Sequence, residues 1–429
     1  MSRPSASEWA PSRSASRQRM SWVLRQYPFS QHAGQHLWIR SLLDTCRRAG
    51  WSIDLLVPAA SLLPLAVRQS AQLRVHAPGL RAMTVHRSVT TGGAAARQAA
   101  WVAFARAPQP VQHRVASARR RRRGAQGVDH VLGRPWTTPE LRWIDATLAA
   151  LQPTVVVFDS LFALAPTANG VHRLALAHDV ISERAASLAR SGYRTTPQFV
   201  DRTWEAQQVG KVDAIVAIQW EDAATLRRMA AQPRIVVAPP AFDPPTRIRP
   251  SDRDTGSKTC LFVGSGALHN VDGLRWFLEH VWPVVHAACP SAQFRVVGTA
   301  ASQVASRHPG VTLVGEVDDL TAEYAQAAVV VVPLRSGSGL KVKLVEALNE
   351  GCPVVTTSVG AQGLGDIEPT PFELADTADQ FALATIAVLE EPDRRVALSC
   401  AASKAAAHFH PPGVHAELMR LIGRGSSAL

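Results

Sequence analysis

Val329-Val330-Val331-Val332-Pro333-Leu334-Arg335-Ser336-Gly337-Ser338-Gly339-Leu340-Lys341-Val342-Lys343-Leu344-Val345-Glu346-Ala347-Leu348 decides how this chain of 429 residues is read. Four consecutive valines with no polar alternation predict a strand covered on both faces, the pattern of a parallel sheet. Pro333 ends it, a Gly/Ser loop follows, and a helix is expected over 340–350. The first turn of a helix carries unpaired backbone N–H donors and partial positive charge. Gly337 and Gly339 permit close backbone approach. Lys341 and Lys343 add full charges at the same place, and they are two of only five lysines in the chain. Lysine there opposes the helix dipole unless an anion is bound, so the junction predicts a phosphate or diphosphate site. Glu346 lies one turn further on. Its carboxylate can accept hydrogen bonds from two vicinal hydroxyls, as ribose presents, or pair with Lys343 for about a few tenths of a kcal/mol.

Working outward, the flanking segments repeat the same alternation. Strands are expected at 261–264, 294–297, 311–314 and 354–356, with helices over 272–288 and 318–327 and a turn at Gly298. Toward the N-terminus, a strand at 22–25 leads through a loop into a helix beginning after Gly34 and carrying Leu37, Leu42 and Leu43. Ala49-Gly50 stops that helix, and 51–57 is a second apolar run, completing a βαβ unit. Further buried strands are expected at 154–159, 174–179, 214–218 and 235–237, while 66–135 gives no clear pattern. Proline pairs at 239–240 and 244–245, then the polar run 251–257, read as a linker. The expected architecture is α/β with two Rossmann-like doubly wound domains. Its parts are a tail at 1–20, a first domain at 21–245, a linker at 246–258, a second domain at 259–408, and a final helix within 409–429.

Composition narrows the class. Hydrophobic residues make up 46% and charged residues 19%, an ordinary globular balance, and the length exceeds one core. Five dispersed cysteines with no CxxC pair point away from disulfides or zinc and toward a reducing compartment. No run of about 18 apolar residues predicts a transmembrane helix. The Ser/Arg/Pro-rich start lacks a signal-peptide core, and Met20 is a second candidate for the start of translation. The net charge of +12 is uneven: 22 Arg against 6 acidic residues in 1–150, including five arginines at 119–123. Such asymmetry is either a solvated Arg-biased surface or a face for a negatively charged partner such as anionic lipid. The Arg run has no interleaved aromatics, which argues against nucleic acid. The expectation is a cytoplasmic protein, peripheral at the inner face of the membrane if the basic half meets lipid.

The stretch 315–364, with its strand, glycine loop, Lys-containing helix, Glu346-Ala347, Gly351-Cys352-Pro353-Val354-Val355 and Thr357-Ser358-Val359-Gly360, resembles the family 4 (group 1) retaining glycosyltransferases of the GT-B fold. The opening of the second domain, Cys260-Leu261-Phe262-Val263-Gly264 and the helix after it, is similar to the same family. The resemblance implies two domains facing across a cleft and transfer of a sugar from a nucleotide-sugar donor to a glycan or lipid-linked acceptor. It implies no cofactor and no metal, the nucleotide-sugar being a substrate. Matched residue by residue, Glu346 would hold the donor ribose, and Lys341 and Lys343 would lie near the phosphates with the loop residues Gly337, Ser338 and Gly339. His178, in Ala177-His178-Asp179 at a strand end, would face the transferred sugar, and Gly34 would pack near donor or acceptor. Two departures stand out. Ser338 occupies the position where the family often has a second Glu, and Ser265 and His269 stand where many members carry Arg and Lys. The lysines of the site helix are therefore expected to bear more of the phosphate charge. With cations and amides stabilising the leaving diphosphate, front-face attack needs no protein base. A dinucleotide fingerprint fails because His269 replaces the third glycine after Gly264 and Gly266. A sugar-nucleotide epimerase of the same fold shares the donor logic and is the nearest alternative, ahead of a basic protein binding nucleic acid or an anionic surface.

Overall fold

A computed structural model describes residues 19–26, 28–29, 34–58, 72–77, 135–193, 200–244, 256–306, 308–317, 319–411 and 413–425. Residues 1–18 of the tail expected at 1–20 and the arginine run at 119–123 lie outside the described residues, as does most of the linker, while Arg19 and Met20 belong to the first strand and not to a tail.

Two parallel sheets organise the chain. The first contains β1 (Arg19–Val23), β2 (Ser52–Leu56), β3 (Leu73–His76), β4 (Val155–Phe158), β5 (His172–Ala177), β6 (Ala214–Ala217) and β7 (Arg234–Val237), in the order β3-β2-β1-β4-β5-β6-β7. The second contains β8 (Thr259–Val263), β9 (Gln293–Val297), β10 (Val311–Gly315), β11 (Val329–Val332), β12 (Val354–Thr356) and β13 (Glu373–Leu374), in the order β10-β9-β8-β11-β12-β13. Every pairing is parallel. The apolar runs explain this: β4, β6 and β11 are buried at every position, which requires helices on both faces. Each sheet is Rossmann-like, and the two face each other across a cleft. The strand order reverses between β1 and β4 in the first sheet and between β8 and β11 in the second. Crevices for ligands open beyond the carboxyl ends of strands at such switch points.

Several boundaries differ from the sequence expectation. β1 begins at Arg19 rather than Trp22 and ends at Val23, so Met20 is a fully buried strand residue. β3 emerges from the stretch without a clear pattern. The helix expected at 272–288 begins earlier, as Leu268–Trp276, and passes through a π turn at Phe277–Val281 into Trp282–Ala288. Two long helices of the second domain were not anticipated, nor was Thr138–Leu151 in the first. Ala378–Glu390 starts with a capping box between Thr377 and Gln380, and Pro392–Ala406 has proline in its first turn. Both are local signals that the sequence carries.

The last helix, Ala416–Gly425, lies against β7 of the first sheet. His415 joins them: Nε2 sits 2.7 Å from the Pro239 carbonyl, and Nδ1 sits 2.7 Å from the Thr45 hydroxyl. Leu418, Leu421 and Ile422 share one apolar cluster with Trp38 of the first domain and Leu344 of the second. One core therefore runs through both domains.

Candidate active site

The glycine loop follows β11 directly, at the switch point of the second sheet. Gly337 and Gly339 adopt φ of 119° and 75°, a region open mainly to glycine. The helix that follows is Val342–Asn349, with Lys341 as its extended N-cap residue. The Lys341 ammonium turns back onto its own loop, donating to the carbonyls of Ser338 at 3.1 Å and Gly339 at 2.6 Å and to Gln362 at 3.0 Å. Burial lowers its pKa to about 8, against the opposing pull of Asp179 and Asp222. Lys343 donates to the Asn270 side-chain carbonyl and lies 5.0 Å from the Phe262 ring centre. Burial, then the Lys341 charge, brings it to about 7. Asn270 in turn donates to the Ser265 carbonyl and hydroxyl at 3.1 and 3.0 Å. Lys343, Asn270 and Ser265 thus link the site helix to the loop after β8. His269 lies beside this group, and burial with the neighbouring cations Lys343, Arg184 and Lys341 keeps it neutral.

Glu346 accepts from the Tyr324 hydroxyl at 3.0 Å. Burial raises its pKa to about 7 despite that bond. Lys343 gives its hydrogen bond to Asn270 instead, and no ion pair joins it to Glu346 among the described residues.

The first domain supplies the opposite wall, from the carboxyl ends of β4 and β5. His178 has Nε2 at 2.9 Å from the Asp159 carbonyl, and its ring meets Trp38 edge-on with centroids 4.8 Å apart. A carbonyl can only accept, so Nε2 carries the proton and Nδ1 is a bare acceptor in the neutral ring. Burial lowers the His178 pKa to about 4, which fixes that neutral state near pH 7. The next residue, Asp179, accepts from the Ser338 hydroxyl at 2.9 Å and from Arg184 at 3.0 Å. Burial would raise the Asp179 pKa, but Arg184 and the two hydrogen bonds hold it below the usual carboxylate range.

Contact between the domains is close. A β-carbon on Gly339 would lie 2.6 Å from the His178 carbonyl oxygen. The Gly337 amide donates to the Ser187 hydroxyl at 3.1 Å, and the Tyr193 hydroxyl donates to Asp272 at 2.5 Å. The Gly363 amide donates to Glu221 at 3.2 Å. Gly34, at the start of the helix Gly34–Arg48, stands against Val342. Of the sequence-expected residues, Gly34, His178, Gly337, Ser338, Gly339 and Lys341 meet at one interdomain corner, Lys343 ties Ser265 to it through Asn270, and Glu346 lies one turn further along the site helix with Tyr324. Sequence reasoning missed Asp179, Arg184, Ser187, Asn270 and Tyr324. Only Asp179 carried a signal, as the polar residue beside His178 at the end of an apolar strand.

Residues 257–391 match the family Glycosyl transferases group 1. The chain has the GT-B fold. The matched residues hold the glycine loop, both lysines and Glu346, whereas His178, Asp179 and Arg184 lie outside them. The chain is 30% identical over 134 residues to a Klebsiella pneumoniae protein described as an uncharacterized 44.6 kDa protein in the cps region. That match spans 28% of this chain and 34% of the relative's length. Among solved GT-B structures, sucrose-phosphate synthase from Thermosynechococcus elongatus superposes with a TM-score of 0.65 at 15% identity, covering 96% of this chain and 100% of that one. HepE from Anabaena, solved in complex with UDP and glucose, gives 0.57 at 13% identity with coverage of 96% and 100%. At such identities the GT-B likeness is one of fold. No helix among the described residues is long and apolar enough to cross a membrane.

Proposed function

We propose that the protein is a glycosyltransferase that moves a sugar from a nucleoside-diphosphate-sugar to a glycan or lipid-linked acceptor, with retention and without a metal. One observation carries this reading. The glycine loop and lysine-bearing helix of the group 1 domain lie under the His178-Asp179 strand end of the other domain. Such a corner suits a diphosphate: backbone donors, a helix start and buried cations converge where water is largely displaced.

In this reading Gly337, Ser338, Gly339 and Ser265 line the diphosphate, while Lys341 and Lys343 supply charge as the glycosidic bond breaks. Glu346 accepts from the ribose hydroxyls in exchange for its Tyr324 contact. His178, neutral and with Nδ1 bare, accepts a hydroxyl of the transferred sugar. The leaving phosphate takes the acceptor proton on the same face, so configuration is retained. The basic first 150 residues, with 22 arginines, suit a peripheral contact with an anionic membrane at the cytoplasmic face that presents a lipid-linked acceptor.

Isothermal titration with UDP-, GDP- and ADP-sugars, followed by product analysis with candidate acceptors, tests the reading. One nucleotide-sugar should bind, and its sugar should appear on an acceptor with unchanged anomeric configuration, in EDTA as well as without it. Free nucleotide or an isomerised donor formed without acceptor would mean hydrolysis or epimerisation instead. Absence of binding across the panel would end the reading.

A further inference from the structure

The wall facing the glycine loop contains a cation that the lysines do not replace. At neutral pH Lys343 is only about half charged, given a pKa of about 7. Lys341 is committed to the carbonyls of its own loop and to Gln362. Arg184 keeps its charge at any working pH, because an arginine guanidinium does not deprotonate in proteins. It belongs to the helix Ile181–Arg190 of the first domain.

Three observations put Arg184 at the diphosphate corner. It donates to the same Asp179 oxygen, Oδ2, that accepts from Ser338 of the glycine loop. Its charge bears on His178, His269 and Lys341, buried groups that come from both domains. Ser187, three residues further along the same helix face, receives the Gly337 amide. The helix itself is pinned at its start. The buried Glu205 carboxylate accepts from the Ile181 amide at 2.8 Å, the Ser182 amide at 2.9 Å and the Ser182 hydroxyl at 2.6 Å. An arginine and a serine are thus held rigidly over the loop.

Asp179 and Ser187 use their oxygens on the donors a phosphate would seek: the Ser338 hydroxyl, the Gly337 amide and the Arg184 guanidinium. We propose that Arg184 is a diphosphate-binding residue supplied by the first domain, handed from the Asp179 carboxylate to the ligand when phosphate oxygens take over these donors. At Arg184 and Ser338 the exchange swaps one anion for another, and at the Gly337 amide an anion replaces a neutral hydroxyl, so the guanidinium stays paired throughout. A fork-shaped, permanently charged donor also suits two phosphate oxygens better than a partly neutral lysine does. The inference rests on the donor-site reading above and adds to it a residue outside the group 1 domain.

Calorimetric titration separates the two claims. Wild-type protein is titrated with UDP, GDP and ADP, and with the monophosphate of whichever base binds. Arg184→Gln should weaken the diphosphate about ten- to hundredfold, the range of one charge-assisted hydrogen bond, and the monophosphate by no more than about twofold. Asp179→Asn removes the competing carboxylate and should tighten the diphosphate several-fold, a readout that a merely structural role would not produce. Diphosphate affinity unchanged in Arg184→Gln, or an equal loss for monophosphate and diphosphate, overturns the role of Arg184 alone. Failure of wild type to bind any of the three diphosphates overturns the donor-site reading and this inference together.

Discussion

A β-carbon placed on Gly34 would stand 2.9 Å from the Cβ of Val342, so the first helix of one domain and the site helix of the other meet start to start. Each start is the positive end of a helix dipole. Two such ends in contact repel unless negative charge lies between or beside them. An anion placed at this corner would therefore be favoured by both domains at once.

That contact leaves no room for a larger residue. Gly34→Val should force the helix starts apart, with about 1–3 kcal/mol lost in denaturant unfolding, the usual cost of overpacking. Nucleoside diphosphate affinity should fall at least about tenfold as the two walls separate. Calorimetry on the folded variant checks this, and wild-type affinity would show that the helix starts need not touch.

Proton uptake on binding follows from the lysines. Burial holds Lys343 near pKa 7 and Lys341 near 8, and a bound diphosphate favours their charged forms. At pH 8 binding should therefore take up about one proton, falling toward none at pH 6, where both lysines are already charged. Titration in buffers of different ionisation enthalpy measures the number. Uptake that does not depend on pH would place the phosphates away from both residues.

Glu346 predicts a pH dependence of stability. Its folded pKa is raised from 4.5 to about 7, so ionising it in the folded protein costs free energy. Wild type should lose stability relative to Glu346→Gln as pH rises from about 4.5 to 7, by at most about 3 kcal/mol, and the gap should stay constant above that. Unfolding curves of both proteins across this range provide the comparison. Parallel curves would mean that the carboxylate is solvated.

His178, with its pKa lowered to about 4, should contribute no ionisation to the pH–rate profile between pH 6 and 8. His178→Ala should lower kcat about ten- to hundredfold and leave nucleoside diphosphate affinity within about twofold, as expected for a group that touches only the sugar. Full turnover in the alanine variant would remove His178 from the site.

Much of this architecture is legible in order along the chain. Val155–Phe158, Ala214–Ala217 and Val329–Val332 declare buried parallel strands because none alternates with polar residues. The strand–glycine–lysine junction was legible as a glycine loop leading into a helix start that carries two lysines. The edges were harder to read. β3 has four residues, and β13 has only two. Two apolar residues alternating with Arg74 and His76 in β3, or two residues in all in β13, give almost no signal beside an unbroken apolar run, and only pairing with a neighbour defines such strands. The pairing of Glu346 was likewise open, since Lys343 was a plausible partner; in the fold Lys343 bonds Asn270, and Glu346 accepts from Tyr324, which no local pattern announced.

The sequence by itself determined the local matters: which runs are strands, where glycine must supply positive φ, and which helix start gathers cations. Tertiary structure decided which groups face that start. Asp179 and Ser338 are 159 residues apart and Tyr193 and Asp272 are 79 apart, distances over which no local pattern survives. It also decided charge. A lysine in a sequence is simply a cation, but Lys343 comes down to about 7 because burial removes the water that would keep it protonated and Lys341 stands nearby.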